Sequence, residues 1–140
     1  MYEKQTWVDN TSIVDAEKLN HIEDGIYDSY FTNYSTTEKV VGTWVDDKPV
    51  YEKVIQGTTS GGEAVTKTID ANLKRGWIVD GYIVATTGGN CVPLNFYSSS
   101  TIFTKSQVLA NGDLSVSTSS SSQYINGPFT ATIRYTKTTD

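Results

Sequence analysis

The chain is predicted to be mainly β: an N-terminal α-helix with a coiled-coil-like apolar stripe, then an antiparallel β-sandwich or jelly-roll-like head. Three observations predict it. Apolar residues recur at three and four positions only between Val14 and Phe31. From Glu38 onward the period falls to two. Clusters of Gly, Asn, Asp and Ser then break the alternation at short intervals, as in all-β domains.

In the helical stretch Asp15 is placed to act as N-cap, and Val14 and Leu19 are spaced for a hydrophobic staple. Leu19, Ile22 and Ile26 form the stripe, flanked by Ala16, Ser29 and Tyr30. Glu17, Lys18, Glu23, Asp24 and Asp28 lie mostly on the other faces. Gly25 costs about 0.5–1 kcal/mol in a helix. The pattern nevertheless continues through Ile26, Tyr27 and Tyr30, so the helix is expected to run past it. A stripe of this kind has to be covered, by this chain or by copies of it.

The polar junction Thr32 to Thr37 marks the boundary between an N-terminal helical unit, 1–34, and a β-rich head, 35–140. Lys39 to Asp46 and Val50 to Gln56 read as strands of a hairpin joined at Asp47-Lys48-Pro49. Ala64 to Ile69 alternates. Trp77 to Thr86 is the most apolar run and reads as a central strand, bulged at Asp80-Gly81. Cys91 to Tyr97 reads as one further strand, with Pro93 marking an edge or bulge, and Ser98 to Ser100 as a loop. Short strands are expected from Ile102 and from Leu114 to Ser117, the latter after the Asn111-Gly112-Asp113 turn. Ser119 to Ser122 reads as a loop and Phe129 to Lys137 as a clean alternating strand.

The net charge of −5 is concentrated at one end. Residues 1–34 carry two lysines against seven acids, whereas 35–140 carry nine bases and nine acids. A neutral head with no basic stripe argues against nucleic acid and against an anionic membrane surface. No apolar run is long enough for a transmembrane helix, and Met1 to Asn10 lacks the pattern of a secretory signal. Synthesis in a cytosol, or membership of a larger assembly, is the expectation. The single Cys91 excludes an intrachain disulfide and a thiolate metal cluster.

Catalytic chemistry finds little support. His21 has no Ser, Asp or metal-ligand partner at useful spacing, and Cys91 reads as a small strand residue. Asp46 and Asp47 are adjacent, so on a strand they point to opposite faces, and a turn is the simpler reading. Asn111-Gly112-Asp113 lacks the spaced acids of a calcium loop, and the Gly pairs 61–62 and 88–89 lack a phosphate-cradle context. No enzyme activity, metal or cofactor is therefore expected. A neutral surface rich in Ser and Thr suits a neutral ligand such as a glycan, for which exposed rings and amides are the usual contacts. Trp44, Tyr51 and Trp77 are assigned to core or subunit interface. Tyr97, Tyr124, Gln123, Asn90 and Asn95 adjoin polar loops and are the candidate ligand-binding residues.

Two stretches carry a family resemblance. Trp7-Val8-Asp9, followed by Val14-Asp15-Ala16-Glu17-Lys18-Leu19-Asn20-His21-Ile22-Glu23-Asp24-Gly25-Ile26, resembles the N-terminal segment of tail-fibre, baseplate and receptor-binding proteins of phages and prophages of Gram-positive bacteria. Asn10-Thr11-Ser12 departs from the glycine- and proline-containing turn usual there. Tyr34 to Tyr51, with Val40-Val41-Gly42-Thr43-Trp44-Val45-Asp46, together with Ala131 to Asp140, is similar to the distal head of such proteins. The region from Gly57 to Gly127 matches no pattern and is where variable receptor contacts are expected.

The resemblance implies a homotrimer in which Leu19, Ile22 and Ile26 line a threefold axis. It further implies attachment to other tail or baseplate proteins through the N-terminus, a place in the virion, and a head that binds a host cell-surface glycan or protein. A structural tail component without receptor binding, a small depolymerase or wall hydrolase, and a cellular carbohydrate-binding module are the rival readings.

Overall fold

The last strand of the chain lies in the middle of its larger sheet, and this placement organises the head. A computed structural model describes residues 16–30, 34–100, 102–120 and 123–140. Two compact units result, 1–33 and 34–140. The first contains α1 (Ala16–Tyr30), which passes through Gly25 without a break. Asp15 and Val14, and with them the proposed cap and staple, lie outside the described residues. Leu19 and Ile26 are 51% and 54% exposed and Ile22 is half-buried. No helix among the described residues is long and apolar enough to cross a membrane.

Among the described residues the second unit contains nine strands: β1 (Lys39–Thr43), β2 (Pro49–Thr58), β3 (Val65–Thr68), β4 (Leu73–Val84), β5 (Cys91–Pro93), β6 (Tyr97–Ser99), β7 (Ile102–Val108), β8 (Asp113–Thr118) and β9 (Pro128–Lys137). They form two antiparallel sheets, ordered β1-β2-β9-β4-β5 and β3-β8-β7-β6. The sheets share one core. Phe129, Ala131, Ile133 and Tyr135 of β9 are buried, as are Ile55 and Ile83 of its neighbours and Leu114 and Val116 of β8 in the other sheet. Each large side chain removed from water in this way contributes about 1.5–3 kcal/mol.

Alternation explains β9 residue by residue. Phe129, Ala131, Ile133 and Tyr135 face the core, while Thr130, Thr132 and Arg134 occupy the other side. The β1–β2 hairpin forms as expected, although β1 stops at Thr43. Its turn is closed by Trp44 N–H donating to Lys48 O at 2.8 Å, with Asp47 in the left-handed region at φ 61°. The run from Trp77 belongs to a longer strand that begins at Leu73; Lys74 and Arg75 hide that start because both are exposed. Its bulge falls at Val79, between the paired residues Ile78 and Asp80, rather than at Asp80-Gly81.

The expected single strand from Cys91 to Tyr97 is two strands in different sheets. Proline has no N–H for the ladder, and β5 ends at Pro93. Leu94 then turns into the core, 2% exposed, where a Cβ on Gly81 would meet its Cδ1 at 2.5 Å. Thr104 Oγ1 stitches the crossing, donating to Pro93 O at 3.0 Å and accepting from Phe96 N–H at 3.0 Å. Tyr97 consequently starts β6, and Ser98 and Ser99 belong to a strand instead of a loop.

Candidate functional site

The outer face of the five-stranded sheet is patterned in rows by strand register. Gln56 of β2 pairs with Thr130 of β9, which pairs with Tyr82 of β4, which pairs with Pro93 of β5. The next row holds Val54, Thr132 and Asp80, and the one after it Glu52, Arg134 and Trp77. Only the pairing of strands distant in sequence aligns these residues.

The first two rows surround a groove of about 340 Å³, within the size range of small-ligand sites. Buried Val54 and Thr132 form its floor, with Thr130 and Gln56 beside them. Tyr82 stands on one side, 46% exposed, with Asp80 next to it along β4. Tyr34, Ser35 and Thr36 line the other side, and Tyr34 is 64% exposed. That segment is held against β2 by Val54 N–H donating to Ser35 O at 2.8 Å, and Ser35 Oγ accepts from Thr37 N–H at 3.1 Å. Asp80 Oδ1 accepts from Gly81 N–H at 2.7 Å, which fixes the carboxylate at the groove edge.

The third row is charged: Lys39 of β1 pairs in register with Glu52, and Glu52 with Arg134. Arg134 Nε lies 2.8 Å from Glu52 Oε2, and the Glu52 side chain is 7% exposed. A carboxylate this buried requires its cation, so Arg134 is committed to it. Trp77 lies against Trp44 of the β1–β2 turn, with ring centroids 5.2 Å apart and both rings half-buried. Val50 and Thr136, outward by alternation, are buried, consistent with Trp44 folding over this end of the sheet. Trp44 and Trp77 are thus packing groups first.

A second cluster lies at the end of β9. Lys137 Nζ is 2.8 Å from Glu38 Oε1 and 3.1 Å from Asp70 Oδ2, and it stands 4.3 Å from the Tyr51 ring centroid. Tyr135 Oη donates to Glu38 Oε2. Burial pushes the Tyr135 hydroxyl well above its ordinary range, and the Glu38 carboxylate adds to this. Burial would lower Lys137, but its bonds to Glu38 and Asp70 outweigh burial and hold it raised. Burial likewise would raise Asp70, yet the Asn72 amide and Lys137 keep it below its usual value. The Glu38, Asp70 and Lys137 side chains pair within the cluster, which ties the end of β9 to the segment before β1 and to the β3–β4 connection. Among the described residues no three His, Cys, Asp or Glu side chains assemble as a metal-binding group.

The candidate residues from the loops are not brought to one place. Asn90 O accepts from Ala85 N–H, and Gln123 O accepts from Thr86 N–H and Thr86 Oγ1, so Asn90 and Gln123 flank the end of β4 with exposed side chains. Asn95 is exposed, but its Oδ1 accepts from Ser106 N–H and Oγ at 2.8 and 3.2 Å, a bond to β7. Tyr97, 73% exposed, sits on the edge strand β6. Tyr124 is not exposed, as its polar neighbours in sequence would suggest, but buried. It is 3% exposed, with its ring edge-on to Phe96 at 6.4 Å, because a lone aromatic among serines plugs the core instead of facing water. The groove residues Asp80, Tyr82, Gln56, Thr130 and Thr132 were missed because each is an ordinary outward position of an alternating strand. The signal was available only by pairing the Thr-x-Thr of β9 with the aromatic at Tyr82. The chain matches no family model, and neither a curated protein nor a solved structure shows significant similarity to it.

Proposed function

We propose that the chain is a homotrimeric receptor-binding or tail-fibre protein of a phage or phage-like particle, whose head adheres to a host cell surface through a glycan. The open groove between Tyr34 and Tyr82 is the observation that carries this reading, because two exposed rings, an amide, a carboxylate and hydroxyls converge there. Such a set provides ring faces for the apolar side of a sugar and polar atoms for its hydroxyls. The resemblance of Trp7 to Ile26 and of Tyr34 to Tyr51 to phage fibre proteins supplies the biological context. The exposed Leu19 and the stripe it belongs to support trimerisation through residues 1–34, the end that would join other tail proteins. The placement of β9 between β2 and β4, opposite β3 and β8, supports a jelly-roll-like reading of the head. Three identical sites on a trimer convert weak single contacts into useful avidity.

The test is binding of fluorescently labelled full chain to a panel of Gram-positive cells. Binding that falls about tenfold or more in Tyr82→Ala, with the oligomer intact, is the expected result. A folded trimer that binds no strain would instead favour a structural tail component.

A further inference from the structure

We infer that the groove selects by charge: it takes an uncharged or amino-bearing sugar chain and rejects one carrying carboxylate or phosphate. The inference rests on the adhesive reading above. Asp80 is the one acidic residue among the described lining residues; the others are tyrosines, Gln56, Gly81, Val54 and hydroxyl residues. Among the described residues no lysine or arginine lines the groove. The Asp80 carboxylate makes no ion pair among the described residues, and the Gly81 N–H is bonded to its Oδ1. The nearest guanidinium by register, Arg134 in the adjacent row, is already held by Glu52. An anionic sugar would therefore set a second negative charge beside Asp80 over a floor of buried Val54 and Thr132, with no lysine or arginine among the described lining residues to offset it. A hydroxyl or an ammonium would donate to the same carboxylate. Rejection by an unmatched like charge is a common route to specificity.

The full chain, labelled with ¹⁵N, is titrated at neutral pH with maltotetraose, the glucosamine tetramer and tetragalacturonate as neutral, cationic and anionic probes. The first two are expected to shift the amide signals of Asp80, Tyr82, Thr130 and Thr132, and tetragalacturonate to bind at least about tenfold more weakly. Asp80→Asn, which keeps the shape, should bring the three probes to within about threefold of one another. Equal binding of tetragalacturonate by the unaltered chain, an Asp80→Asn variant with unchanged preference, or no groove shift with any probe would each overturn the inference. So would groove shifts produced by dilution alone, which would assign the face to subunit contact. Cell binding is read separately before and after periodate treatment of the cells. Tyr82-dependent binding that survives periodate leaves adhesion standing and removes the sugar; absence of cell binding removes adhesion itself.

Discussion

Glu38 and Lys137 are joined at 2.8 Å, so the segment that leads into the head is tied to the end of its final strand. The same ammonium reaches Asp70, and the same carboxylate receives the Tyr135 hydroxyl, so removing the cation leaves two acids facing each other in a partly buried site. Lys137→Met should cost about 1–3 kcal/mol, less than for a fully buried pair because the acids keep some solvent. A lower denaturant midpoint with an unchanged m-value checks it.

The pH dependence of stability has a worked sign at each end. Tyr135, Tyr51 and Lys137 all have folded values raised above their ordinary ones, Tyr51 through desolvation and then Asp140. Their contribution is complete below the unfolded values near 10 and is lost as pH rises beyond them. Asp70 is depressed, so its contribution is complete above the ordinary value of 3.8 and is lost as pH falls below it. Thermal melts should show loss of stability beginning near pH 10, and the Asp70 share of acid loss should disappear in Asp70→Asn.

Gly112 is held at φ +86°, and a Cβ there would run into the carbonyl of Asp70. Its own carbonyl accepts from Ile69 N–H at 2.9 Å, so the turn cannot drift away. Gly112→Ala should destabilise by about 2–4 kcal/mol, from left-handed strain and displaced backbone together. Gly89, also at positive φ but with nothing within 4 Å, should lose only about 1–2 kcal/mol on the same change; paired melting curves give the comparison.

Leu19 on α1 is 51% exposed in the single chain, and burial of such side chains between copies is the driving force proposed for the trimer. Leu19→Asp combined with Ile22→Asp should convert a trimer to monomer in light scattering while the β-type circular dichroism of the head is retained. A monomeric unaltered chain, or a trimer indifferent to both changes, would refute the helical seam.

Much of the secondary structure was legible because it is local. The alternation of β9 and the apolar run of β4 follow from which residues prefer water, and the Asn111-Gly112-Asp113 turn follows from the one residue that tolerates positive φ. The break after Pro93 was harder. A strand that leaves one sheet and resumes in the other reads as a single apolar stretch until Leu94 is seen to fill the space beside Gly81. Tyr124 misled for the opposite reason, since its neighbours in sequence are polar while its neighbours in space are Phe96 and the core.

By itself the sequence determined the β character of the head, the isolated helical stripe with its acidic surroundings, and the neutral charge of residues 35–140. Tertiary structure decided which side chains line the groove. Gln56, Thr130 and Tyr82 become one row only when β9 inserts between β2 and β4, and strand order is set by long-range pairing that no local pattern encodes.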